Sequence, residues 1–256
     1  MGFLWFDESI RDNGKFIVGA LVYCHKNLSP TIQDEWTSMG LDPTQFEFKS
    51  SAPKAGDKTA IEARNRLHKI LRNTKVGIVI CPTSDRRALG AYGVALVKQI
   101  IQKNAVPNEK HFLFMDQEIV ITAEDRNEVD RCGVEIFLNQ DSRIVAGIQL
   151  ADLASHSLGG MLLEQMGLIS KTVRAGENSG YDPEMQIEIG FELWASLRYL
   201  LIQSPQPVRP LIGDDVNAYP VFQVQDYGLF LAPSCSENLY EHAIARFGEN
   251  YLGCIH

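Results

Sequence analysis

"MGFLWFDES", residues 1–9, sets an apolar run of Phe3, Leu4, Trp5 and Phe6 directly against two carboxylates, Asp7 and Glu8. A run apolar on both faces reads as a strand buried in the middle of a sheet, which puts the acids at its carboxyl edge. In open α/β sheets that edge is where ligands bind. "HFLFMDQ", residues 111–117, repeats the grammar, with an apolar run after His111 that ends in Asp116. Two strands ending in acid on one plan predict an α/β chain with carboxylates gathered at a sheet edge.

Between these strands, "RDNGK" (11–15) carries the hairpin signal Asn13-Gly14 and leads into a second apolar strand, "FIVGALVYC" (16–24). "QFEFKSS" (45–51) alternates strictly, Phe46 and Phe48 against Glu47 and Lys49, and reads as a third strand with a carboxylate and an ammonium side by side. Residues 57–72 hold Ile61, Leu67, Ile70 and Leu71 at helical spacing, "KVGIVICP" (75–82) is another buried strand, and residues 86–104 form a helix rich in Ala and Gly. An acid-rich helical stretch (122–131) and a short strand (133–139) follow.

Residues 140–167 read as a long apolar helix with Asp141 or Ser142 placed to cap it. Gln149, Asp152 and His156 fall on one stripe of that helix, where an ionised carboxylate is costly unless something pairs with it. Beyond it the spacing predicts a loop (174–185), a helix (186–203), a proline-rich connection (204–215) and a terminal helix (236–252). The expected organisation is a core over residues 1–168 and a mainly helical C-terminal extension over residues 169–256.

The chain of 256 residues, 45% hydrophobic and 22% charged, is long and apolar enough to bury a substantial core. No apolar run approaches the roughly 20 residues that span a bilayer, and the amino terminus lacks a basic segment before a hydrophobic one, so the expectation is a cytoplasmic protein with no membrane partner. Five dispersed cysteines have neither zinc-site nor redox-dithiol spacing, and the six histidines stand without a second ligand nearby. Net charge is −8, but residues 49–103 carry twelve Lys and Arg against three Asp and Glu, while residues 166–256 carry five against eleven. The basic segment suits nucleic-acid phosphates. The acidic part, with Trp194, Tyr199 and Leu200 on one helix, suits a protein partner or a second copy of the chain.

The succession of strands and helices, with acids on three strands and the late helix, is the layout of a ribonuclease H-like mixed sheet flanked by helices. "FDES", "EFKSS" and "DSRIVAGIQLADL" together resemble the signature of the family catalogued as domain of unknown function 3800, over roughly residues 1–165. The family's glycine after Asp-Glu-Ser is replaced here by Ile10. The resemblance implies a metal-dependent nuclease core, found in bacteria and in neighbourhoods linked to defence against phage. It maps Asp7 and Glu8 onto the first motif, Glu47 and Lys49 onto the second, and Asp141, Gln149 and Asp152 onto the last.

Phosphodiester hydrolysis requires an activated water and a stabilised leaving oxygen, which divalent metals supply. Asp7, Glu47, Asp116 and Asp152 are the hard-oxygen set expected to hold Mg2+ or Mn2+, and Lys49 is the cation expected at a phosphate oxygen or the attacking water. Glu8 is expected to point away from Asp7 into solvent, Asp141 to cap a helix, and His156 to sit satisfied in the core. The expected function is cleavage of DNA or RNA; the alternative is a ribonuclease H-like adaptor without catalysis that binds a protein. A glycosidase-like carboxylate pair would need sugar platforms near the acids, and Trp5 and Phe6 read as core. The chain has no phosphate-binding glycine loop, dinucleotide fingerprint or nucleophile elbow.

Overall fold

A computed structural model describes residues 1–51, 57–175, 181–209 and 220–253. Strand β1 (Gly2–Arg11) and strand β2 (Phe16–Cys24) form an antiparallel hairpin closed by a short 3-10 turn at Asp12–Gly14, as the Asn-Gly signal predicts. All of β2 is buried, because its side chains are apolar on both faces and both faces are covered. β3 (Lys75–Pro82) pairs antiparallel with the free side of β2, β4 (His111–Asp116) pairs parallel with β1, and β5 (Val134–Gln140) pairs parallel with β4. The order β5-β4-β1-β2-β3, with β2 running against its neighbours, is the ribonuclease H-like sheet.

Helices cover both faces. On one side lie α1 (Ser29–Ser38), α2 (Lys58–Leu71) and α5 (Ile148–Gln165), packed on Trp5, Phe16 and Val18. On the other lie α3 (Leu89–Gln102) and α4 (Ala123–Asp130), packed on Leu4, Phe6 and Leu113. β1 thus feeds two cores by simple alternation. α5 enters directly over the Trp5 ring, where a Cβ on Gly147 would stand 2.2 Å from a ring carbon.

Several expected boundaries shift. β1 runs on past its acids, and Ile10 sits in the strand opposite Ile17, so the position of the replaced glycine is not a turn. "QFEFKSS" is not a strand. Phe48 is buried in the core and Phe46 packs edge-on against Trp36 at 5.0 Å, but side chains of α5 take its backbone N–H groups in place of a neighbouring strand. α5 begins at Ile148 with no side-chain cap, because residues 141–147 first turn on themselves through bonds to the Asp141 carbonyl. α1, whose weakly patterned sequence carries no clear helical stripe, precedes that extended segment.

Past α5, a small hairpin of β6 (Thr172–Arg174) and β7 (Gln186–Glu188) leads into α6 (Ile189–Leu197), so the predicted helix over 186–203 opens as a strand and stops earlier. β8 (Val221–Gln223) and β10 (Glu249–Tyr251) pair beside α7 (Glu237–Phe247). β9 (Leu229–Leu231) lies parallel to β3 and adds a sixth strand to the central sheet. Leu200 is buried, while the Trp194 and Tyr199 rings each lie 4.6 Å from the Arg198 guanidinium, which donates to the Gly253 carbonyl. Residues 176–180 and 210–215 of the expected loop and connection, with Lys54 and Cys254, lie outside the described residues. Among the described residues no helix is long and apolar enough to cross a membrane.

Candidate carboxylate site at the sheet edge

The parallel pairing of β1 with β4 ends at Phe6 and Met115, and the next step on each strand is an aspartate, Asp7 and Asp116. Both stand on the face that carries Trp5 and Phe114, below α5. Asp7 is only 5% exposed. Burial drives its pKa well above the ordinary carboxylate range, and the charges of Asp116, Asp152 and Glu8 push it the same way. Burial also raises Asp116, against the opposing pull of the Gln117 N–H and the Lys49 ammonium. Asp7 on β1 therefore feels the charge of both Asp116 on β4 and Asp152 on α5.

The segment bearing Glu47 and Lys49 is stapled over this edge by α5. Gln149, 1% exposed, accepts the Phe48 N–H at 3.1 Å and donates to the Ser142 carbonyl at 2.8 Å. Asp152 Oδ2 accepts the Ser50 N–H at 2.7 Å, which is the partner its place on an apolar helix requires. Glu47 Oε1 takes the Lys49 Nζ at 2.7 Å and the Ser142 hydroxyl. Burial lowers the Lys49 pKa, but Glu47, Asp116 and Asp7 together carry it above the ordinary lysine value.

Asp141 does not cap α5; its carboxylate grips Arg143, with Oδ2 2.6 Å from one guanidinium nitrogen, which holds its pKa below the usual range. The His156 carbonyl accepts a bond from Arg11, and that guanidinium faces the Asp152 charge. Glu8 departs from expectation: it is half-buried, its Oε2 is enclosed without a hydrogen-bond partner, and burial and Asp116 both raise its pKa. The two-residue period does turn it to the other face, but β1 continues beneath Arg86 instead of opening to water. Its adjacency to Asp7 in "FDES" was the available signal.

The basic segment is divided by the sheet, with α2 on one face and α3 on the other. Many of its cations already have carboxylate partners, Arg66 with Glu35 and Glu62, Arg86 with Glu118, and Lys98 with Glu128. Two grooves of about 570 and 390 Å³ open along α2, away from the acids.

No family model matches the chain, and no curated protein matches it. Among solved structures it is similar to a chain of the PCNA:RNase HII complex from Archaeoglobus fulgidus, at 13% identity over 71% of this chain and 82% of that one, with a TM-score of 0.35. The fold assignment stands on this chain's own strand order and directions.

Among the described residues no three His, Cys, Asp or Glu side chains form a ready-made metal cage. The donor chemistry nonetheless fits a hard divalent cation. Asp7 and Asp116 are oxygen donors that repel one another in a partly dry edge. Magnesium keeps several waters and takes as few as one or two protein carboxylates, completing its shell with substrate phosphate.

Proposed function

We propose that this chain is a divalent-metal-dependent nuclease that hydrolyses phosphodiester bonds in DNA or RNA, and that it belongs with the family its motifs resemble. The observation that carries this reading is the matched placement of Asp7 and Asp116 on adjacent parallel strands, with the Asp152 charge on α5 felt at Asp7. Asp7 and Asp116 would hold Mg2+ or Mn2+, with Asp152 and Glu47 at its margin. When bound, the metal supplies an activated water and charge stabilisation at the leaving oxygen.

The chain's own residues do the rest. Lys49, poised by Glu47 above Asp116, brings an ammonium to a phosphate oxygen. Gln149 and Asp152 hold the segment that carries Lys49, so the cation and the carboxylates keep a common frame. Burial of Asp7 limits water at the edge, which strengthens every charge interaction there.

The test is cleavage of labelled single- and double-stranded DNA and RNA with magnesium or manganese, beside chelator and folded Asp7→Ala and Asp116→Ala variants. Metal-dependent cleavage abolished in both variants is the expected result. No cleavage of any substrate, joined to no metal binding by calorimetry, overturns it in favour of the non-catalytic adaptor.

A further inference from the structure

Among the described residues, helices cover the sheet face that carries the aspartates over only part of its width. α5 lies across β1 and β2 and meets β4 at its margin, whereas α4, the helix packed on β5, sits on the opposite face with Val129 in the other core. Beyond α5 the described side chains on that face are mostly aromatic, with Glu135 among them on β5. Going toward the acid edge, β4 presents Phe112, Phe114 and then Asp116, β1 presents Phe3, then Trp5 buried under α5, and then Asp7, and β5 adds Phe137.

Phe3, Phe112, Phe114 and Phe137 are each half-buried. Their rings form a connected platform: Phe3 to Phe112 at 5.6 Å, Phe112 to Phe137 at 6.2 Å, and Phe137 to Phe114 at 5.0 Å and nearly parallel. Along β4 each ring is about 7 Å from the next same-face side chain, two residues at about 3.3 Å apiece. The Lys110 ammonium lies 5.0 Å from the Phe112 ring centre and is paired with Glu135, while Arg143 and Lys49 stand at the acid end.

We infer that this face binds a single-stranded nucleic acid by stacking two or three bases on Phe112, Phe114 and Phe137, so that the strand runs toward Asp116 and Asp7. Nucleobases present flat π surfaces to such rings, and sheet-based binders of single-stranded RNA stack two or three bases in this way. A duplex hides those surfaces and is gripped through its phosphates, for which this face has few cations, each already beside a carboxylate. The delivery of a phosphate to the aspartates rests on the nuclease reading, whereas the stacking itself does not.

Fluorescence anisotropy of labelled single-stranded oligonucleotides and of their duplexes, measured with the Asp7→Asn variant in magnesium so that nothing is cut, tests the inference. Single strands are expected to bind tighter than duplexes. Phe112→Leu and Phe137→Leu, which keep apolar bulk but lose the π face, should each weaken single-strand binding by about tenfold or more while leaving its salt dependence unchanged. Phe112→Trp should retain binding. Duplex preference, absence of single-strand binding, or Leu variants that bind as the parent does would each overturn the inference. So would a shift in oligomeric state caused by the Leu variants, which would make the face a contact between copies. Single-strand binding with this dependence on phenylalanine, in a native protein that cuts nothing, sinks the nuclease reading alone; cleavage confined to duplexes and indifferent to the Leu variants sinks the stacking alone.

Discussion

Asp7 and Asp116 stand side by side on neighbouring parallel strands, one step beyond the last paired residues Phe6 and Met115. Two carboxylates at that spacing in a partly dry edge repel one another, and burial holds Asp7 far above its ordinary pKa. The arrangement costs stability unless a cation neutralises it.

Asp7→Asn should therefore stabilise the metal-free protein at neutral pH, by on the order of 1 kcal/mol or about 2–4 °C in Tm. Magnesium should raise the Tm of the native chain by binding only the folded state, and should do so far less for the variant. Thermal unfolding of both, with metal and with chelator, checks this. A variant less stable than the native chain in chelator would show that Asp7 is a structural residue.

Gln149→Ala should loosen the segment that carries Glu47 and Lys49. It strands the buried Phe48 N–H and the Ser142 carbonyl, at a cost of about 1–3 kcal/mol for each group left unpaired. Hydrogen exchange at the Phe48 and Ser50 amides should speed up by more than at the β2 amides. Equal acceleration in both places would mean general destabilisation and no specific staple.

His68 supplies a pH dependence remote from the acids. Burial, with Arg64 and Arg72 nearby, lowers its pKa to about 4. The unfolded chain then binds the proton below about pH 6.5 while the folded chain refuses it until about pH 4. Stability should fall as pH drops through that window, by on the order of 1–2 kcal/mol given that the ring is only half-buried and partly screened. In urea titrations, His68→Gln should flatten the slope between pH 6.5 and 4; an unchanged slope would assign it to other groups.

Gly147→Ala should destabilise by about 1–3 kcal/mol or more, because the added methyl meets the Trp5 ring at the entrance to α5 and both are held by the core. Urea unfolding reads the loss directly. A neutral substitution would mean that α5 can slide on the sheet without penalty.

The apolar runs of β1, β2, β3 and β4 make the sheet legible, because a strand buried on both faces is written in successive apolar residues. The Glu47–Lys49 stretch misleads for the same reason: Phe46 and Phe48 alternate as in a strand, yet the N–H groups of Phe48 and Ser50 bond to Gln149 and Asp152, about a hundred residues away. The Asp141 cap misled because Arg143, two residues on, competes for that carboxylate. Strand period alone sends Glu8 to solvent, and nothing local reveals that the far face of β1 is also covered.

The sheet's core strands, the helix that lies over them and the residue types available for chemistry can all be read along the chain. These follow from local periodicity and from the cost of leaving apolar surface in water. The pairing that brings Asp7 beside Asp116, the staple of Gln149 and Asp152 over them, and the partial cover of Phe112, Phe114 and Phe137 among the described residues emerge only when the chain is folded. Register and coverage are set by which strands pair and where each helix docks, and those depend on contacts between residues far apart in the chain.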